Sequence, residues 1–317
     1  MFDTHYDLLT IAYKAYLTND YSYLEEITKY FNDKNVTGVI ANLYFMSKEE
    51  MENEICAGYY KDDVSVLDMF VKSKEILDKY LPNTEIIYSI EGADYIKDTV
   101  ELEKLYSVGL RALILCWNTE SKYASGNRSD KGLTDDGREL ISKAIDLGIG
   151  IDLSHANKKS FYDLCDLIEE KKNNGVDVCV YASHSNATYL CKNSRNLDDE
   201  QLHRIKDLGG LVGAVGYSYF VVDEPNNYSD IYLKKYYIEH IKYIKNIVGE
   251  ENIMTSSDDM EFCSWYDDKF SKTSIYNYKD IKKDLYSDLE GEFSLEEINN
   301  IMYNNVKNKI YNKLINK

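Results

Sequence analysis

A chain of 317 residues with 44% hydrophobic content can bury a sizeable core, as one large domain or two ordinary ones. Its formal net charge of −18, spread along the chain, is set against nucleic-acid binding, which needs a basic patch for the phosphates. No apolar run approaches the roughly 20 residues that cross a bilayer, so no membrane partner is expected.

From the N-terminus, Met1-Phe2-Asp3-Thr4-His5 enters strand-like sequence at once, without a basic and apolar leader, which predicts a cytoplasmic protein. Short apolar runs then alternate with helical patterns. Strands are expected over 1–7, 36–45, 84–90, 110–117, 148–154, 176–183, 210–217 and 252–257, and helices over 64–80, 134–147, 158–172, 198–208 and 231–248, among others. Thr134 ahead of Asp135 and Asp136 reads as a helix cap with acids in the first turn. Asp198-Asp199-Glu200-Gln201 reads as a capping box, and Gly209-Gly210 stops that helix. The segment 118–131 is too polar for a regular element and reads as a long loop. Six cysteines (Cys56, Cys116, Cys165, Cys179, Cys191, Cys263) lack CxxC spacing and read as free thiols.

Strands followed by helices, over and over, are the arithmetic of a (β/α)8 TIM barrel in the α/β class. A doubly wound open sheet shares that alternation, but no Gly-x-Gly-x-x-Gly turn follows any strand. The chain is therefore read as a single domain, 1–317, with a helical extension over about 275–317 that packs outside the barrel.

Barrel strands deliver functional side chains at their carboxyl ends. His5 and Asp7, two apart on one strand, point to the same face. Glu91 ends the third strand, where a carboxylate is costly to bury unless paired or metal-bound, and Gly92 permits a tight turn behind it. His155 and His184 each close a short apolar strand after a serine. Of the five histidines, only His203 and His240 fall within helices, where partial exposure is expected. His5, Asp7, Glu91, His155 and His184 are too many ligands for one tetrahedral zinc. They suit two ions about 4 Å apart that share a carboxylate and a water.

With these pieces in hand, the chain resembles the membrane (renal-type) dipeptidases, zinc metallopeptidases of the amidohydrolase-like barrel group. The matching segments run in order: Asp3-Thr4-His5-Tyr6-Asp7, Ile90-Glu91-Gly92, Gly132-Leu133-Thr134 through Glu139, Ile151-Asp152-Leu153-Ser154-His155, Ala182-Ser183-His184-Ser185, Ser194-Arg195-Asn196-Leu197, Gly209-Gly210-Leu211-Val212-Gly213 and Ser257-Asp258. The resemblance implies two Zn2+ ions, one on His5 and Asp7, the other on His155 and His184, bridged by Glu91 and a water or hydroxide. The metals lower the pKa of that water, so hydroxide is available near neutral pH. It further implies that Arg195 holds the C-terminal carboxylate of a small dipeptide, a task that suits a guanidinium fork. Asp258 would hold the amino group and move a proton to the leaving amine. Dipeptides with a C-terminal D-residue fall within the family's range, and homodimers are common in it.

The fourth strand departs from the family. Better-known members carry Thr-His-Asn there, with the histidine on the substrate carbonyl; this chain reads Cys116-Trp117-Asn118. Losing one oxyanion donor typically costs about a hundred- to a thousandfold in turnover. Trp117 or Asn118 is therefore expected to supply another donor to the substrate. The competing readings are a metal-dependent amidase or deacylase of N-acyl amino acids and a low-activity metal-binding homologue.

Overall fold

The computed structural model describes residues 1–34, 36–45, 64–259, 273–276 and 281–315. Cys56 and Cys263 lie outside them. Eight strands, β1 (Phe2–Tyr6), β2 (Gly38–Tyr44), β3 (Glu85–Glu91), β4 (Leu110–Ile114), β5 (Gly150–Asp152), β6 (Val180–Ala182), β7 (Leu211–Val215) and β8 (Ile253–Ser256), pair in sequence order. Every pairing is parallel, and helices alternate with the strands. The ring closes from β8 to β1: Asp258 donates its N–H to the His5 carbonyl at 3.3 Å, and Thr4 Oγ1 donates to the Thr255 carbonyl at 3.1 Å. This is the (β/α)8 barrel expected from the alternation.

Local signals do what their chemistry allows. Thr134 Oγ1 accepts the Gly137 N–H ahead of the helix Asp135–Leu147, and Gly148 ends that helix in a left-handed turn at φ 81°. Asp198 and Gln201 complete the capping box of the helix Asp199–Asp207. Except for β3, which keeps its length and shifts by one residue, the observed strands are shorter than expected because several apolar runs continue past the last ladder bond into loops that carry the site. Trp117, for instance, stands beyond the end of β4.

One core lies between strands and outer helices, and a second fills the amino-terminal end of the barrel. The latter corrects the expectation that the C-terminal segment packs outside the barrel. From the Ser294–Glu297 capping box, a helix runs through Leu295–Asn299 and the π-helical turns Asn300–Asn304 and Lys307–Tyr311. Val306, Ile310 and Leu314 join Phe2, Ile40 and Ile87 and plug the barrel floor. Their four-residue spacing stays on one face because π-turns hold more than four residues each. Gly150 leaves the room: a Cβ there would stand 3.0 Å from Leu314. Burying Val306 and Ile310 completely removes roughly 2 kcal/mol of apolar exposure for each side chain.

Candidate metal centre

At the opposite, carboxyl-terminal end, the barrel interior turns polar. Between Asp3 and Tyr6 the pairing of β1 with β2 slips by one residue. Such a bulge re-aims side chains, and it lets Phe2 serve the floor while His5, only three residues on, reaches the mouth. Glu91 ends β3, and Gly92 turns the chain away at φ 88°, where a Cβ would stand 2.4 Å from the Phe45 carbonyl oxygen. His155 and Asp258 both adopt left-handed backbone, at φ 70° and 44°. Side-chain-bearing residues rarely hold that conformation, which costs about 1–3 kcal/mol and concentrates at functional sites.

Glu91 stands at the centre. Its Oε2 lies 3.1 Å from His5 Nε2, and its Oε1 lies 2.7 Å from His155 Nε2 and 3.8 Å from His184 Nε2. On the His5 side, Asp7 Oδ1 and Asp258 Oδ1 are each 3.8 Å from Nε2. Asp7 Oδ1 is buried without a hydrogen-bond partner. The two carboxylate oxygens thus face two separate groups of donors.

The far sides of the rings fix their tautomers. His155 Nδ1 lies 2.9 Å from Asn118 Oδ1, an acceptor, so Nδ1 carries the proton. His184 Nδ1 lies 2.7 Å from Ser183 Oγ, whose hydroxyl also bonds the Asp152 carboxylate. With the Ser183 proton committed to Asp152, His184 Nδ1 is a donor as well. Both Nε2 lone pairs then face each other at 2.8 Å, an arrangement that is repulsive unless a cation or a proton joins them. Burial keeps these rings neutral, holding His155 down to about 3 and His184 well below its ordinary value. Burial also disfavours the His5 imidazolium, but the facing Glu91 carboxylate raises it to about 10. Burial pushes Asp7 and Asp258 up, with Glu91 adding its like charge to both. Neutral imidazoles with engaged Nδ1 atoms and an orphaned carboxylate oxygen are a donor set that suits a divalent cation. His5, Glu91 and His184 meet within 4.8 Å.

Arg195 is buried on the loop after β6. Nη2 reaches the His184 carbonyl at 3.5 Å, Nε has no partner, and the guanidinium lies 5.2 Å from the centre of the Phe220 ring. Trp117 borders the centre, its ring 6.1 Å from that of His155 and edge-on to Tyr44 at 5.3 Å. Asn118, expected to meet substrate, spends its oxygen on His155 and keeps only its NH2 for a ligand.

Several supporting residues were not legible as such. Asp152 Oδ1 accepts the N–H groups of Ser154 and Ser183, both at 3.0 Å, and so ties together the two strand ends that deliver His155 and His184. Ser154 Oγ accepts the His184 N–H at 3.2 Å. The side-chain amide of Asn42 lies 3.0 Å from His5 Nδ1; a lone amide within the apolar run of β2 was the available signal. His240 is fully buried, contrary to the expected partial exposure, whereas His203 is exposed as expected. His240 accepts the Ala187 N–H and donates to the Val221 carbonyl, joining the segments that follow β6 and β7.

A profile of the membrane dipeptidase family, peptidase family M19, matches residues 33–308. The chain belongs to this family. An uncharacterized protein of the pqqA 5′ region in Klebsiella pneumoniae is 34% identical over 182 residues, 55% of this chain and 64% of that protein. An uncharacterized dipeptidase of Schizosaccharomyces pombe is 28% identical over 197 residues, 60% of this chain and 44% of its own length. The chain thus spans about half the length of the curated relatives it matches. Among solved structures, a metallopeptidase from Rhodobacter sphaeroides, bound to a phosphinate mimic of L-Ala-D-Ala, superposes with a TM-score of 0.74 at 19% identity, covering 99% of this chain and 97% of that one. A dipeptidase described as a metallopeptidase of family M19 gives 0.72 at 19% identity, with the same coverage. At that identity the likeness concerns the fold, and it agrees with the family assignment. Among the described residues no helix is long and apolar enough to cross a membrane.

Proposed function

We propose that this chain is a zinc-dependent dipeptidase with two metal ions, hydrolysing dipeptides that have a free amine and a free carboxylate, including those with a C-terminal D-residue. The observation that carries the reading is Glu91, whose two oxygens serve His5 with Asp7 on one side and His155 with His184 on the other. When bound, the ions polarise the peptide carbonyl and acidify a water.

The chain's own residues do the rest. Arg195, buried with an unpaired Nε, grips the substrate's C-terminal carboxylate; a buried cation in this position is costly unless an anion arrives. Asp258 stands 3.8 Å from His5 Nε2 on a constrained backbone, within reach of both substrate amine and water. It holds the ammonium and carries a proton from the water to the leaving nitrogen. The NH2 of Asn118 and the indole N–H of Trp117 stand in for the family histidine on the substrate carbonyl. The substrate is a small dipeptide, and the acidic chain has no nucleic-acid or membrane partner. It works in the cytoplasm as a single domain whose C-terminal helices form the barrel floor, on its own or as a homodimer.

A panel of L-L and L-D dipeptides beside N-acetylated controls tests the assignment. Rapid cleavage of free dipeptides with blocked ones inert is the expected result. Equal rates on blocked substrates would overturn it in favour of an N-acyl amino acid amidase.

A further inference from the structure

His155 and Arg195 are walls shared by the metal centre and a neighbouring cavity of about 290 Å³, which lies between the segments following β5 and β6. That volume sits at the small end of the roughly 300–1,000 Å³ of organic-ligand sites and suits one amino-acid residue rather than a long peptide. Its charge runs against the rest of the molecule. Lys158, Lys192 and Arg195 line it together with the single acid Asp198. Lys158 Nζ lies 2.7 Å from Asp198 Oδ2, so these two neutralise each other. Arg195 and Lys192 remain, and neither forms an ion pair among the described residues. In a chain of net charge −18, two cations outside any ion pair on one small cavity favour an anion with two negative groups, although the carboxylates of Glu91, Asp258 and Asp152 also act on Arg195 from the side of the metal centre. Ser185 Oγ and Arg195 Nε, on two residues that line the cavity, are buried without a hydrogen-bond partner, so the polar groups of this wall are not all satisfied within the protein.

We propose that this cavity selects dipeptides whose C-terminal residue has an acidic side chain, aspartyl or glutamyl, with Arg195 on the backbone carboxylate and Lys192 on the side-chain carboxylate. The inference rests on the dipeptidase reading and adds a substrate class to it. The two cations divide the work by burial. Arg195, planar and enclosed, fixes the carboxylate common to all dipeptides, whereas Lys192, on a flexible stem at the rim, discriminates among side chains.

The test compares Ala-Glu with its uncharged isostere Ala-Gln on the metal-loaded enzyme and on Lys192→Gln, an exposed position whose replacement leaves the fold alone. A charge-assisted contact at the exposed rim predicts kcat/KM about threefold higher for Ala-Glu in the native enzyme. In Lys192→Gln the ratio should fall to about one, the loss falling on Ala-Glu. The native preference should also shrink as salt is raised. A native ratio near one, or a preference that survives Lys192→Gln, overturns the subsite while Ala-Gln cleavage leaves the dipeptidase reading standing. Cleavage of neither peptide overturns both.

Discussion

Under the proposed function, Arg195 acts toward the substrate and Asp152 toward the proposed metal ligands. If Arg195 holds the carboxylate, Arg195→Ala should raise KM about a hundredfold with a smaller change in kcat. Steady-state kinetics on one free dipeptide checks this, and an unchanged KM removes the role. Asp152 is buried beneath the two strand ends. Its carboxylate fixes two backbone N–H groups and, through Ser183, the tautomer of His184. Outer partners of metal-bound imidazoles are typically worth about 10- to 100-fold in metal affinity. Asp152→Asn should weaken metal binding by that much in a chelator competition, with the thermal midpoint of the metal-free protein little changed. The histidines and acids of the centre were legible because they stand at strand ends. Asn42, Asp152 and Ser183 were not, because a polar residue within a strand declares a role only once its neighbours are known. Asp152 and Ser183 were visible as parts of a motif, without a task.

At the scale of elements, what is local along the chain is legible in the sequence and what depends on closure of the barrel is not. Alternating apolar runs and caps gave all eight strands in order, since periodicity and capping are local chemistry. The bulge in β1 is invisible to a strict two-residue alternation, yet it alone allows Phe2 and His5 to face the same interior. The C-terminal helix was misplaced because its apolar stripe says only that it buries something, and the partner, the barrel floor, exists only after closure. His240 is the same lesson within a long helix, Asp230–Val248, whose residues include both exposed tyrosines and a fully buried imidazole. Burial depresses its pKa from 6.5 to about 4. The folded chain therefore excludes a proton that the unfolded chain binds below pH 6.5. The stability this contributes is complete above pH 6.5 and is lost as pH falls toward 4, by roughly 3 kcal/mol. The stability gap between wild type and His240→Gln, from denaturant unfolding at pH 7 and pH 4, should shrink by about that amount. A gap independent of pH would mean that His240 is not buried in its neutral form.

At the scale of the molecule, the two barrel ends are divided by chemistry. Apolar side chains and a helix seal the floor, while the mouth concentrates buried carboxylates and imidazoles that an apolar core would not tolerate unpaired. Trp117, where the resemblance implies a histidine, stands beside His155 and outside the proposed ligand set. Full metal loading is therefore expected whatever the turnover on a given dipeptide. The most direct measurement is the metal content of purified protein, reconstituted with zinc and dialysed, for the native chain and for His155→Ala. Two zinc ions per native chain, and about one in His155→Ala, are predicted from the division of ligands around Glu91. Fewer than one ion per native chain, with His155→Ala unchanged, would contradict it.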